Sequence, residues 1–270
     1  MNTTLSASTD PAMFQFMAPH GVQIAFQKSG RGPALVLVHG GFSDHRTNWE
    51  FVEPILRERF AVYTIARRGR ADTAATRGHR LLDEAQDVVA LMRLIGEPVF
   101  LLGHSYGAQC ALNAARLAPE SVMKLVVYEA PRPSMLSPQT FATLEALAAA
   151  GAWDECAFTF FRDTIRVPVS DLDALRATDL WPPIVADAPA TMGDLRALRS
   201  YDFSPGAFRG LRMPVCLQVG SESVADLYVT DALASALPHA QAQVLQGQAH
   251  EGMTTAPGPY AEAVTRFLLE

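Results

Sequence analysis

Val99-Phe100-Leu101-Leu102-Gly103-His104-Ser105-Tyr106-Gly107-Ala108 is the stretch whose reading decides the fold. An apolar run enters Gly103, and a small-residue run from Ala108 to Leu117 leaves Gly107, so the segment reads as strand, sharp turn, helix. A strand that turns straight into a helix crowds its own backbone, and the glycines on either side of Ser105 relieve that crowding. The turn lifts the Ser105 hydroxyl above the end of the strand, where the free N–H groups of the helix N-terminus also point. In that setting Gly-x-Ser-x-Gly is a nucleophile elbow. Taken alone, the same residues describe a tight turn that happens to carry a serine.

Working outward, the flanking segments supply the rest of an alternating pattern. Ala34 to Val38 and Ala61 to Ile65 are continuous apolar runs, as expected of strands buried on both faces. Helical spacing lies between them from Trp49 to Phe60, and Leu82 to Ile95 sets Ala85, Val88, Val89 and Met92 on one face before Gly96. Residues 14–18 and 22–27 alternate around Pro19-His20-Gly21 as an opening hairpin. Lys124 to Tyr128 is the next strand. Strands alternating with helices imply a mostly parallel sheet, an α/β fold.

From Pro131 to about Pro205 the alternation stops. Helical segments at 141–150, 153–164, 171–180 and 190–198 are separated by Gly151, Pro168, Pro182-Pro183 and Pro189. A strandless insertion of this kind predicts a helical lid over 131–205, with residues 1–130 and 206–270 forming the core. The rhythm resumes with strand 215–219, helix 226–237, strand 242–245 and helix 260–268.

Composition excludes several classes. Hydrophobic residues make up 49% of the 270 positions, enough for a large core. The net charge is −6, and Lys28 and Lys124 are the only lysines, so no basic cluster invites nucleic acid or an anionic membrane. Cys110, Cys156 and Cys216 are too dispersed for a disulfide framework or a metal site, and read as buried thiols. Met1 to Asp10 lacks the basic start and apolar run of a secretory signal, and no run is long enough to span a bilayer. The expectation is a cytoplasmic protein, monomer or homodimer, acting on a small molecule without metal or cofactor.

With His39-Gly40-Gly41 after the third strand, Gly103 to Gly107 after the fifth and Gly247-Gln248-Ala249-His250 after the eighth, the chain resembles the α/β-hydrolase superfamily over about residues 20–270. The resemblance implies an eight-stranded sheet with helices on both faces and a serine nucleophile, Ser105, with His250 as its base. A serine hydroxyl needs such a base near neutral pH. The backbone N–H of Tyr106 and, by resemblance, that of Gly41, with Phe42 as the alternative, would face the developing oxyanion. Aspartate in place of Ser105 would have indicated an epoxide hydrolase or haloalkane dehalogenase.

The acid departs from the commonest pattern, because Ser223 stands three residues after Gly220, where many relatives carry aspartate. Glu129, directly after the sixth strand, is the first choice, since a charge there is costly without a role or partner. Glu222 and Asp226 stay open. Phe42, His104, Phe158, Phe161 and Trp181 are candidates for the pocket wall, and Arg67-Arg68-Gly69-Arg70 reads as loop bracing ahead of carboxylate binding. The leading activity is hydrolysis of an ester, thioester or lactone. The alternatives are a lyase, C–C hydrolase or cofactor-free oxygenase with His250 as base, or a catalytically silent binder that keeps the elbow.

Overall fold

The computed structural model describes residues 11–237 and 239–270. The opening segment 1–10, read above as no secretory signal, lies outside the described residues. Eight strands form one sheet: β1 (Ala12–Met17), β2 (Gln23–Gly30), β3 (Ala34–Val38), β4 (Ala61–Ile65), β5 (Val99–His104), β6 (Val122–Tyr128), β7 (Val215–Gly220) and β8 (Ala240–Leu245). Their order across the sheet is β1-β2-β4-β3-β5-β6-β7-β8, antiparallel at β1–β2 and β2–β4 and parallel elsewhere.

The continuous apolar runs divide by parity. Val36, Val38, Leu101, Leu125 and Val127 pack against α2 (Leu81–Ile95) and α3 (Tyr106–Leu117). Their neighbours Leu35, Leu37, Phe100, Leu102 and Val126 face the opposite layer. Successive side chains of a strand point to opposite faces, so such runs mark strands buried on both sides. That opposite layer holds α1 (Glu53–Leu56), only four residues long, where helical spacing suggested 49–60. Trp49 belongs instead to a separate 3₁₀ turn, and both Trp49 and Leu56 still reach the core.

Four helices of the insertion follow β6: α4 (Pro138–Ala149), α5 (Trp153–Phe160), α6 (Val169–Arg176) and α7 (Trp181–Arg199). Beyond β7 come α8 (Thr230–Ala236), in the same apolar layer as α2 and α3, and then α9 (Gly252–Thr255) and α10 (Pro257–Leu269) on the opposite face. Two sequence expectations need correction. The prolines at 182, 183 and 189 do not separate helices, since α7 runs through all three. Pro182 and Pro183 sit in its first turn, where the missing N–H has no intrahelical partner to lose. The segment 153–164 is α5 followed by a π-helical turn, Phe161–Ile165, that ends at Arg166 with φ +66°. The insertion has its own apolar cluster, including Leu144, Cys156, Phe158, Leu172 and Met192, and Phe42 reaches into it from the core.

Adjacent parallel strands end together. Val38 of β3 is paired with Gly103 of β5, and His104 with Tyr128 of β6. The residues just beyond those ends, 39–41, 105 and 129, therefore share one edge of the sheet, where open α/β sheets place their ligands.

Candidate active site

Ser105 sits at φ +53° and ψ −126°, outside the regions open to ordinary residues. Both flanking glycines are sterically required there. A Cβ on Gly103 would lie 2.5 Å from Gly107 O and 2.6 Å from Ala108 Cα, and one on Gly107 would lie 2.3 Å from the carbonyl oxygens of Val38 and His39. The strain is fixed by the sheet, since Ser105 N–H donates to Tyr128 O at 2.9 Å. Strained non-glycine backbone persists where its surroundings over-determine it.

A second strained corner lies one strand over. Glu129 adopts φ +49° just past β6, and its carboxylate is wholly buried. Oε1 accepts the Gly220 N–H at 2.8 Å, and Oε2 lies 2.5 Å from His250 Nδ1. Burial alone would raise the Glu129 pKa, but the hydrogen bond and charge of His250, the nearby Ser223 hydroxyl and the Gly220 N–H outweigh it and hold the carboxyl below its usual range. Burial would conversely lower His250, yet Glu129 and then Glu251 raise it above the ordinary imidazole value. With its Nδ1–H donated to Glu129, His250 keeps Nε2 as an acceptor.

Glu222 is exposed, with its carboxylate taking the Ser221 hydroxyl, and Asp226 is an exposed partner of Arg166 at 3.6 Å. Of the three acids weighed, only Glu129 contacts the histidine.

Tyr228 was missed in the sequence. Its ring stacks on His250 with centroids 5.3 Å apart and planes 10° from parallel, and its Oη lies 3.1 Å from His250 Nδ1. Burial, followed by the Glu129 charge, raises the phenol pKa, so it stays a neutral O–H group beside the carboxylate. His104 packs on the other side, centroids 4.6 Å away, with Nε2 2.9 Å from the His250 carbonyl oxygen. Below them Tyr128 Oη donates to Ala249 O and accepts the Gly252 N–H, which fixes the histidine loop to the sheet. No local pattern flags Tyr228, because the Pro131–Tyr228 bridge that seats it is long-range.

Across the elbow, Asn48 Oδ1 accepts the Gly40 N–H at 3.0 Å and lies 3.1 Å from His104 Nδ1. His39 braces its own turn through Gly40 O at 2.8 Å and through Arg67 N–H at 3.2 Å. Phe42 N–H is already donated to Thr191 Oγ1 of α7 at 2.7 Å. Among the described residues no protein acceptor is paired with the N–H of Gly41 or of Tyr106. Both residues line the cavity that holds Ser105.

A cavity of about 30 Å³ opens onto Ser105 and His250, walled by Gly41, Phe42, Tyr106, Phe160 and Phe161 among others. Three residues expected in its wall are elsewhere. His104 lies behind His250, and Phe158 and Trp181 pack on each other at 6.5 Å inside the insertion. Helical periodicity could not separate these from Phe160, at the end of α5, and Ile165, at the end of the π-turn, which line the cavity. Asp194 and Glu251 also line it, and no lysine or arginine among the described residues does.

The arginines stand behind the wall. Arg67 uses all five N–H groups, on His39 O, Gly40 O, Glu84 Oε2 and both oxygens of Asp194. Arg70 is shared between Asp187 and Asp194 of α7. Burial disfavours the Arg67 charge, but Asp194 and Glu84 more than compensate and raise its pKa well above the ordinary value. Bracing is therefore what these residues do, and their carboxylate partners are internal. The cluster His79, Glu84 and Asp194 has metal-like spacing, but Arg67 already neutralises it.

Among the described residues no helix is long and apolar enough to cross a membrane. A model of the alpha/beta hydrolase family matches residues 35–263. The chain is 27% identical to a 2-(acetamidomethylene)succinate hydrolase of Mesorhizobium japonicum over 92% of both proteins. Mycobacterial proteins of uncharacterised role match at 30% identity over 124 residues, and that match spans only 36% of their length. An alpha/beta hydrolase from Sphaerobacter thermophilus superposes with a TM-score of 0.83 at 27% identity, covering 94% of this chain and 100% of that one.

Proposed function

The chain belongs to the alpha/beta hydrolase family, and on that premise we propose that it is a serine hydrolase cleaving an ester, thioester or lactone of a small, uncharged, largely apolar substrate. The observation that carries this is the pairing, in one cavity, of the strained Ser105 with a His250 whose Nδ1 is bound by buried Glu129. His250 Nε2 takes the Ser105 proton as Oγ attacks the carbonyl carbon. The oxyanion that forms accepts hydrogen bonds from Gly41 and Tyr106 N–H. His250 then returns the proton to the leaving oxygen or sulfur, or to the ring oxygen of a lactone. In the second half the same nitrogen deprotonates water, which releases the acid and frees Ser105.

The residues 131–205 act in this reading as a lid whose underside, Phe160, Phe161 and Ile165, meets the acyl group. No lysine or arginine among the described residues lines the cavity, so its wall offers no cation to a carboxylate such as the succinate in the full-length relative's name, which favours a neutral acyl chain. The test is a fluorophosphonate probe with peptide mapping. Label on Ser105 in the wild type, lost in Ser105→Ala at unchanged melting temperature, supports the reading. Ester turnover without that label rules it out, and neither label nor turnover leaves the binder.

A further inference from the structure

The peptide groups on both sides of Gly41 are fixed; His39 Nδ1 shares in holding the first, and in each case one fixing group depends on the insertion. The Gly40 carbonyl oxygen accepts Arg67 Nη2 at 2.7 Å. The described backbone has no cis peptide, and in a trans peptide the C=O and the following N–H point in opposite directions. Holding Gly40 O toward Arg67 therefore turns Gly41 N–H away from it, and Gly41 lines the cavity that also holds Ser105. Arg67 is itself oriented by both carboxylate oxygens of Asp194, at 3.1 and 2.8 Å, on α7.

The next peptide is held directly. Phe42 N–H donates to Thr191 Oγ1 at 2.7 Å, and the Thr191 hydroxyl in turn donates to Asp187 at 2.8 Å, one turn earlier on the same helix. Phe42 stands at φ +54°, a conformation that a bulky residue keeps only under restraint. The fit is close. A Cβ on Gly41 would come within 3.0 Å of Thr191 Cγ2, so glycine is what lets α7 approach.

We propose that α7 is part of the oxyanion machinery, with Thr191 the positioning residue that holds the 40–42 loop so that Gly41 N–H meets the transition state. The proposal rests on the serine-hydrolase reading. The insertion then covers the substrate and also assembles one half of the oxyanion hole.

Thr191→Val keeps the shape and removes the acceptor, Thr191→Ala removes it without crowding, and Thr191→Ser retains it. Each is assayed with a neutral ester and with a trifluoromethyl ketone, whose carbonyl carbon bonds to Ser105 Oγ while the serine proton passes to His250 and the resulting oxyanion occupies the hole. Losing an oxyanion donor costs about 10²–10³ in kcat, and misplacing one costs less. Thr191→Val and Thr191→Ala should therefore lower kcat about tenfold to hundredfold and weaken the ketone by a similar factor. KM should change little and Thr191→Ser should stay near wild type. Unchanged kcat and ketone affinity in a folded Val or Ala variant overturn the proposal, as does a fall in kcat with ketone affinity intact.

Amide hydrogen exchange gives a readout independent of the chemistry. Phe42 N–H should exchange at least about tenfold faster in the Val and Ala variants than in the Ser variant, and equal rates overturn the proposed hold on the loop. Should wild type neither hydrolyse esters nor bind the ketone, the serine reading fails on its own while the exchange result still decides the contact.

Discussion

The floor and the roof of the cavity are built by different physics. In the floor, Leu35, Leu37, Leu102 and Val126 pack on α1 and α10 through apolar side chains, and the reacting groups stand at strand ends in strained backbone, Ser105 at φ +53° and Glu129 at φ +49°. In the roof, α7 meets the sheet edge through Arg67 and Arg70 buried against Glu84, Asp187 and Asp194. Apolar packing tolerates small adjustments, whereas a buried ion network depends on every partner being present. The proposed reacting groups thus stand on a rigid frame, and α7, besides the apolar contacts of Ala197 and Leu198, is attached by ion pairs that fail abruptly when one partner is lost.

The largest effect expected tests the floor. Glu129→Gln should lower kcat by about 10²–10⁴, the range seen when a triad acid becomes its amide and the imidazole can adopt the wrong tautomer. KM should move little if chemistry limits turnover, and Glu222→Gln, altered only at an exposed carboxylate, should stay within about threefold of wild type. A melting curve separates this from unfolding. If Glu129→Gln instead unfolds the protein while the residual folded fraction turns over normally, Glu129 is a structural anion and the contrast between floor and roof collapses.

The roof should answer in stability. Asp194→Ala removes the carboxylate shared by two buried guanidinium groups, and breaking such a pair from one side costs about 3–5 kcal/mol. Equilibrium unfolding in urea should show that loss, whereas substitution at the exposed pair Arg266–Glu262 should cost under about 1 kcal/mol. A loss at Asp194 no larger than that of the surface pair would mean that apolar contacts hold α7.

The same contrast explains what was legible in the sequence. The elbow, the His-Gly-Gly turn and His250 announce themselves because glycine at a close approach and apolar runs in double-buried strands are local requirements written in consecutive residues. Glu129 was reachable because Ser223 left the usual acid position empty and one other strand end carried a carboxylate. Thr191, Asp194 and Tyr228 were not, since each matters through a partner 22 to 149 residues away and looks ordinary in its own segment. Of the lid aromatics Phe161 was placed correctly, and Phe158 and Trp181 failed for another reason. Helical spacing does not say which face of α5 meets the core, so Phe160 at its end reaches the cavity with Phe161 and Ile165 of the following π-turn, while Phe158 and Trp181 stay inside the insertion.

Tyr228 belongs to the floor yet touches the first residue of the insertion through its bridge to Pro131, and it should give a smaller effect. Tyr228→Phe keeps the ring stacked on His250 and removes one hydroxyl, so kcat should fall about threefold to tenfold, the worth of one hydrogen bond. The pH profile carries the more specific sign. His250 acts as base only when neutral, and its pKa is raised, so kcat/KM should fall on the acid side with a midpoint above the ordinary value near 6.5. A Glu129 carboxylate that has lost the neighbouring phenol binds the imidazolium more tightly, which should move that midpoint further up in Tyr228→Phe. A midpoint moving down, or an unchanged kcat, would make Tyr228 packing only.

The smallest effect sharpens the roof's own part in catalysis. Each methylene that leaves water for an apolar wall is worth about 0.8 kcal/mol, roughly fourfold in kcat/KM. The cavity as it stands is small, about 30 Å³, so it accepts little before Phe160, Phe161 and Ile165 must yield. A series of p-nitrophenyl esters from acetate to octanoate should therefore rise by about fourfold for one or two steps and then flatten or fall. Phe161→Ala should shift the break to longer chains, because it enlarges the wall without touching Ser105, His250 or Glu129. A rise continuing to octanoate in the wild type would mean that the roof opens freely, and its ion pairs would then have to be breaking during turnover. A profile flat from acetate onward would mean that the acyl group never meets the roof, leaving α7 its structural role at the oxyanion loop and the aromatic underside without one.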